Sequence, residues 1–387
     1  MKLLLVQRFD LSNVGCGERI WRQAEILARR GHEVVLVHFP HAARRAELPA
    51  LRPEIPPSVR GLALDRHSGS LLANKRILAE EIARADLVHL WKAYPDTGLP
   101  VLWNLHGRTK PLHYDWDDLE GGTDGIAHRL TASTAIGRLL SVWEREMLLW
   151  ADTVTAASGQ IADLCRQAGF PEDRLFPGPV GAVDHPCDKT SITRWETTLA
   201  GKRALTFLGQ MEAEDFPTAV LEGVAEALRK FPESLLVLVG DGTARGLLER
   251  KARDLGIQDR TLFTGYVPRE EAQALLHLSS LFLFPLRDDL MSRCKSPLVV
   301  IEAMSRSLPV VGSRVGEVPV MVGEAGVLVE GLGSSAWGEA IASLLSDPGR
   351  MERVGRMARE KFLSEWTWER SVDCLEAAYR RALEVAL

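Results

Sequence analysis

No uncharged apolar run in the sequence approaches the roughly 18 residues that a membrane-spanning helix needs, so no segment is expected to cross a bilayer. Cysteine is scarce. Cys16, Cys165, Cys187, Cys294 and Cys374 are odd in number, far apart and without CxxC or zinc-ligand spacing, which argues against a disulfide scaffold and for a reducing compartment. The opening MKLLLVQRFD has too short an apolar stretch before Gln7 and Arg8 for a signal-peptide core, so a cytoplasmic protein is expected. Basic excess is also missing: 47 Lys and Arg stand against 52 Asp and Glu, a formal net charge of −5. No whole-chain field would recruit nucleic acid, and any polyanion must be met locally.

What is present is ordinary globular composition over 387 residues, 46% apolar and 26% charged. That balance excludes a disordered, collagen-like or coiled-coil chain, and at roughly 150 residues per domain the length suits two domains. Apolar runs alternate with amphipathic stretches from the start. Leu3 to Val6, Glu33 to Phe39, Asp86 to Trp91, the segment PLHYDWDD and Asp152 to Ser158 read as strands. Helical spacing fills the intervals around 20–28, 71–85, 98–105 and 126–150. Between about 185 and 203 the pattern lapses, and a linker is expected. A second alternation then runs through ALTFLG, LLVLVG, TLFTG, LFLFP, PVVGS and GVLVE. Continuous apolar strands alternating with helices predict parallel sheets covered on both faces, hence two doubly wound α/β halves in tandem.

Dinucleotide binding is the first use of such a sheet to test, and both fingerprints fail. Gly15 and Gly17 stand with Ile20 in the third glycine position, and the second strand ends in His38 and Phe39 rather than an acid. Gly240 and Gly242 follow a strand, but Arg245 takes the third position. A GxxxxGK[ST] phosphate loop is absent too.

Read as a block, the second half carries LTFLGQMEAEDFPTAVLEGVAEAL, LLVLVGDG, RTLFTGYV, LFLFPLRDD and KSPLVVIEAMSRSLPVVGSRVGEVP in order. This set resembles the donor-binding domain of family-4, GT-B glycosyltransferases. The likeness extends over the whole chain: VGCGERIWRQAEILARRGHEV looks like the family's opening glycine loop and first helix, and WEREMLLWADTVTAAS with PVGAVD looks like the end of its first domain. The resemblance implies two Rossmann-like doubly wound parallel-sheet domains facing a central cleft, with a C-terminal helix crossing back. The expected boundaries are 1–185 for the acceptor side, 186–202 for the linker, 203–367 for the donor side and 368–387 for the returning helix. It further implies transfer of a sugar from a nucleoside-diphosphate sugar, as co-substrate, to a hydroxyl of a glycan, lipid-linked or small-molecule acceptor, with retention. No metal and no other cofactor is expected.

Particular residues fit such a site. The Glu302 carboxylate can accept both ribose hydroxyls, and its apolar neighbours Val300, Ile301 and Met304 argue against a merely solvated role. Lys295, Ser296, Pro297 and Leu298 open the same helical stretch, where backbone N–H groups and the dipole suit a diphosphate, with Lys295 as a catalytic cation. Gly265, Tyr266 and Val267 match the family segment that reads the base edge, although Tyr266 could equally be ordinary packing. Gly209 and Gly240 sit at strand ends where a ligand approaches or the chain turns sharply. In the first half, Asp115, Asp117 and Asp118 end a strand facing the expected cleft; acceptor contact is preferred to capping, and capping to metal binding. Gly15, Cys16 and Gly17 resemble the loop that meets acceptor or donor phosphate.

Two departures from the family pattern stand out. Cys294 takes the place of a second Glu eight positions before Glu302. Gln210, with Glu212, Glu214 and Asp215, replaces the usual Arg and Lys after the domain's first strand; Lys295, Arg293, Arg287 or Arg314 could restore that charge. These departures keep a same-fold epimerase or hydrolase, or a donor-binding protein with weakened catalysis, as alternatives. Arg44, Arg45, Arg52 and Arg60 suit an anionic membrane surface or acceptor, with a solvated loop as the preferred reading. The sequence does not set the oligomeric state.

Overall fold

The computed structural model describes residues 1–8, 14–39, 57–65, 70–92, 94–107, 109–184, 187–212 and 216–386, with the side chains of 14–16 left aside. The chain divides into two compact units. One holds Met1–Gly181, Cys294–Ser296 and Trp368–Leu387; the other holds Ala182–Arg293 and Pro297–Thr367.

The first unit is a parallel sheet built from β1 (Lys2–Val6), α1 (Val14–Arg29), β2 (Glu33–His38), β3 (Val59–Ala63), α2 (Leu71–Arg84), β4 (Leu87–Trp91), α3 (Pro95–Asn104), β5 (Leu112–Trp116), α4 (Ile126–Thr131), α5 (Thr134–Trp150), β6 (Thr153–Ala156), α6 (Gly159–Gln167) and β7 (Leu175–Pro177). The strand order β3-β2-β1-β4-β5-β6-β7 reverses direction between β1 and β4, the switch point of a doubly wound sheet. β1, β4 and β5 are buried on both faces, which is why each reads as an unbroken apolar run. β3 and β7 escape that reading because their residues are largely exposed or half-buried at the two sheet edges. The stretch 126–150 is two helices: Ala132 turns left-handed (φ 53°) and Ser133 caps α5, its Oγ accepting the Ile136 N–H at 3.3 Å. Gly15 and Gly17 lie within the first turn of α1, not in a turn before it.

The second unit contains α7 (Lys189–Leu199), β8 (Arg203–Leu208), α8 (Thr218–Lys230), β9 (Ser234–Val239), α9 (Arg245–Asp254), β10 (Thr261–Gly265), α10 (Arg269–Leu278), β11 (Ser279–Phe284), α11 (Leu290–Cys294), α12 (Leu298–Ser305), β12 (Val310–Ser313), α13 (Val318–Val322), β13 (Gly326–Val329), α14 (Ser334–Leu345) and α15 (Pro348–Glu365). Its parallel sheet has the order β10-β9-β8-β11-β12-β13, with the switch point between β8 and β11. Leu205, Phe207, Phe216, Val224 and Trp337 are among the side chains that form the core between the sheet, α8 and α14. The stretch expected as a linker carries α7. Its sequence KTSITRWETTL looks like a lapse because only Trp195 and Leu199 are buried, yet those two join a cluster with Leu275 of α10.

The last helix, α16 (Trp368–Val385), belongs to the first unit. Trp368, Val372, Leu375, Tyr379 and Ala382 recur at three- and four-residue spacing and form its buried stripe. No helix among the described residues is long and apolar enough to cross a membrane.

Candidate functional site

In the second unit, the C-terminal ends of three strands are knitted together by backbone. The Gly209 N–H donates to Val239 O and the Gly240 N–H to Gly265 O, both at 3.0 Å. Gly240 has φ 125°, and a Cβ there would lie 1.9 Å from Gly209 O, so only glycine fits this close approach. Gly265 is also left-handed, at φ 69°. The sequence-predicted glycines 209, 240 and 265 therefore meet along one edge of the sheet. Tyr266 follows, 59% exposed as a residue, whereas Val267 packs on the cluster that α7 and α10 share.

α12 follows β11 and α11 and starts at Leu298, with Pro297 at its N-cap position. Glu302 lies in its second turn and is almost wholly buried, while the helical stretch expected from Lys295 begins only at Leu298. Its Oε1 accepts from Arg269 Nη2 at 2.8 Å, across from the first residue of α10. Sequence reasoning missed Arg269; the signal was a cation placed just after the Gly265–Val267 segment. Lys295 and Ser296 precede the helix and group with the first unit, and Ser296 Oγ is buried with no hydrogen-bond partner among the described residues. Of the cations proposed to replace the missing pair, Arg293 is held by Asp288 at 2.6 Å and Arg314 by Glu330 at 2.6 Å. Gln210 and Glu212 follow β8, and Glu212 accepts from the hydroxyl of Thr243; Glu214 and Asp215 lie outside the described residues.

In the first unit the acid run divides. Asp115 lies inside β5, a strand buried on both faces, and is wholly buried rather than facing an open edge. Arg19 of α1 grips it bidentately, Nε to Oδ2 at 2.8 Å and Nη2 to Oδ1 at 2.9 Å, and Thr155 Oγ1 adds a third bond at 2.8 Å. Burial opposes the charged form, but the guanidinium outweighs it and holds the carboxyl at about 2. Behind this pair, His89 Nδ1 meets Tyr379 Oη of α16 at 2.6 Å, and His113 lies between Thr153 and Thr155. Burial keeps both rings neutral, that of His89 down to about 4.

Asp117 and Asp118 instead gather around Lys92, which follows β4 in a left-handed conformation (φ 47°) and is almost fully buried. Lys92 Nζ lies 3.5 Å from Asp117 Oδ1, 2.5 Å from Asp118 Oδ2 and 3.1 Å from Glu120 Oε1. Glu120 also accepts from the Tyr94 hydroxyl, and Arg8 lies 3.8 Å over the Tyr94 ring. Burial pushes the Asp117 carboxyl well above the usual carboxylate range; Lys92 opposes this and Asp118 reinforces it. The loop beyond is fixed by Glu144 of α5, whose oxygens accept the N–H groups of Glu120 at 2.8 Å and Gly121 at 3.0 Å. Burial raises the Glu144 carboxyl to about 8, against the pull of those two donors. Glu120 follows Asp118 by two residues, whereas Lys92 and Glu144 carry no local motif, and the tertiary fold alone brings Lys92 to the acids and Glu144 to the loop after them.

Gly15 and Cys16 belong to the first turn of α1, and Gly17 is buried there. Arg44, Arg45 and Arg52 lie outside the described residues, whereas Arg60 on β3 pairs with Glu81. No cluster of His, Cys, Asp and Glu suited to a metal ion occurs among the described residues.

Two doubly wound parallel units, one with close-approach glycines at its strand ends and a buried glutamate in a following helix, define a protein of the tandem doubly wound α/β class. Residues 15–177 match the model for "Glycosyltransferase Family 4" and residues 202–347 the model for "Glycosyl transferases group 1". The chain belongs to the family-4 glycosyltransferases. It is 30% identical over 217 residues to a D-inositol 3-phosphate glycosyltransferase of Segniliparus rotundus, covering 54% of this chain and 47% of that protein. To a GDP-mannose-dependent alpha-(1-6)-phosphatidylinositol monomannoside mannosyltransferase of Mycolicibacterium smegmatis it is 28% identical over 204 residues, covering 52% and 51%. The chain thus spans about half the length of these curated relatives. The crystal structure of Anabaena Alr3699/HepE in complex with UDP superposes with a TM-score of 0.74 at 15% identity, over 98% of this chain and 100% of that one, and establishes the shared GT-B fold.

Proposed function

We propose that the protein transfers a sugar from a nucleoside-diphosphate sugar to an acceptor hydroxyl, with retention at the anomeric carbon. The observation that carries the reading is Glu302, a carboxylate buried in the helix that follows β11, in a unit whose glycine-lined strand ends leave backbone groups close together. Buried carboxylates demand partners, and two vicinal ribose hydroxyls supply two donors to its oxygens. Arg269 orients one of those oxygens. The diphosphate is assigned to the start of α12, with Lys295, Ser296, Pro297 and Leu298. There the helix dipole and the Lys295 ammonium stabilise the charge that develops on the leaving group, the main catalytic effect in this reading. The leaving diphosphate takes the acceptor's proton on the same face. Gly265, Tyr266 and Val267 receive the base, and Asp117 contacts the acceptor.

UDP is bound in the Anabaena neighbour, and the two relatives named above are called inositol phosphate and phosphatidylinositol mannoside transferases, which supports a nucleotide-sugar donor and a polyol or lipid-linked acceptor. The reading places the reaction in the cytoplasm. A second reading, a donor-binding protein with weakened catalysis, is favoured by Gln210 and by the engagement of Arg293 and Arg314 with their own acids. Donor titration by calorimetry tests the central residue: Glu302→Gln is expected to weaken binding about 10- to 100-fold, as for loss of charge-assisted hydrogen bonds of roughly 1.5–3 kcal/mol. Unchanged affinity would overturn the ribose role. Nucleotide release with no sugar on any acceptor would favour a hydrolase, and donor binding without release would favour the second reading.

A further inference from the structure

The sheet of the first unit changes direction between β1 and β4, and Gln7 stands there, one residue beyond β1. It continues the ladder: its N–H donates to Val37 O at 3.2 Å, one step past the pairing of Val6 with Val37 and Leu90. Its side chain is wholly buried, and neither Nε2 nor Oε1 has a hydrogen-bond partner among the described residues. A buried primary amide left unpaired at both ends carries a desolvation cost that a leucine of similar size would not, so packing alone gives no reason for it. Doubly wound sheets take their ligands beyond the carboxyl ends of the strands at such a switch point.

Around the same strand ends the charges answer one another. Arg8 Nε lies 3.0 Å from Asp96 Oδ2, and its guanidinium covers the ring of Tyr94, whose hydroxyl donates to Glu120. Lys92 is shared by Asp117, Asp118 and Glu120, and Arg19 is held by Asp115. A phosphate arriving here would meet cations already engaged and acids that repel it. Asp117 Oδ1 has no hydrogen-bond partner among the described residues, with Lys92 Nζ 3.5 Å away.

We propose that Gln7 is an acceptor-binding residue and that the group it takes is an uncharged polyol, the hydroxyl-bearing part of a sugar or cyclitol rather than a phosphate ester. A hydroxyl both donates and accepts, so a vicinal pair satisfies the amide N–H and the amide oxygen together. A further hydroxyl falls to Asp117 Oδ1. The inference rests on the sugar-transfer reading and narrows its acceptor.

Transfer to myo-inositol, to glucose and to the monophosphate of each tests it, using whichever of the UDP-, GDP-, ADP- and dTDP-sugars raises the parent's melting temperature. The unphosphorylated acceptors are expected to be used about 10-fold better or more in kcat/KM. Gln7→Leu should raise the acceptor KM about 10-fold, as for loss of two neutral hydrogen bonds, with little change in kcat. Its melting temperature should equal or exceed the parent's, because the amide it removes pairs with nothing in the free protein. A merely structural glutamine would give the reverse, a lower melting temperature with an unaltered KM. Equal or better use of the phosphorylated acceptors, transfer to neither class, or a Gln7→Leu variant with the parent's KM overturns the proposal. A nucleotide panel without any melting shift overturns the sugar-transfer reading beneath it instead.

Discussion

Asp115 and Asp117 are two residues apart and are held in opposite ways. At Asp115 the bidentate Arg19 guanidinium overcomes burial; at Asp117 burial and Asp118 overcome Lys92. Removing one partner of a buried ion pair leaves the other charge uncompensated, so Asp115→Asn is expected to cost about 3–5 kcal/mol in urea denaturation. Asp117→Asn removes a carboxyl that already favours its neutral form, and should change stability by less than about 1 kcal/mol while lowering sugar transfer. Equal destabilisation by the two would contradict the division. Glu144 gives a pH signature. Its folded value of about 8 lies above the ordinary 4.5, so between those values the unfolded chain loses a proton that the folded chain keeps. Stability from this group is present below about pH 4.5 and is lost as pH rises toward 8. Glu144→Gln should therefore gain on the parent by up to about 1.4 kcal/mol per pH unit across that window; a gap independent of pH would refute the assignment. The acid run was legible in the sequence as a strand end, but the division within it was not: alternation puts Asp115 and Asp117 on the same face, and only the end of β5 at Trp116 parts them. Its true partners were not legible: Arg19 lies 96 positions away and Lys92 follows another strand, and no spacing rule joins them.

At the scale of elements, the strands buried on both faces announced themselves as apolar runs, and the two sheets followed from them. β3 and β7 did not, because an edge strand exposed to water needs no apolar run. α7 was hidden by its composition: a helix that buries Trp195 and Leu199 against one neighbour needs little more apolar surface. The break between α4 and α5 rests on one left-handed alanine, which propensity disfavours, followed by the Ser133 cap of α5. The glycine-knitted strand edge is testable in isolation. Gly240→Ala adds a Cβ 1.9 Å from a carbonyl oxygen on a left-handed backbone, and should lower the melting temperature sharply, by the equivalent of about 3 kcal/mol or more. Gly246→Ala in α9 meets only the far end of Arg250 at 3.7 Å and is expected to stabilise by about 0.5–1 kcal/mol. A neutral Gly240→Ala would mean that the strand ends are not held as close as described.

For the whole molecule, the near-neutral charge balance conceals opposite local arrangements. Lys92 sits among three acids in one unit, while in the other the acids outnumber the cations left for a diphosphate, since Arg293 and Arg314 are occupied and Gln210 is neutral. The proposed donor site thus leans on a helix end and Lys295 more than on a pair of clamping side chains. Lys295→Ala should then depress turnover more than donor affinity, because a charge developing on the leaving group is felt most in the transition state. The most direct test of the sugar-transfer account is a melting-shift panel of UDP-, GDP-, ADP- and dTDP-sugars on the parent protein and on Glu302→Gln. The account predicts that one nucleotide class raises the parent's melting temperature, by the equivalent of about 2.7 kcal/mol at a hundredfold excess over Kd, and that the variant loses most of that shift. No shift with any of the four, or an equal shift in the variant, would contradict it.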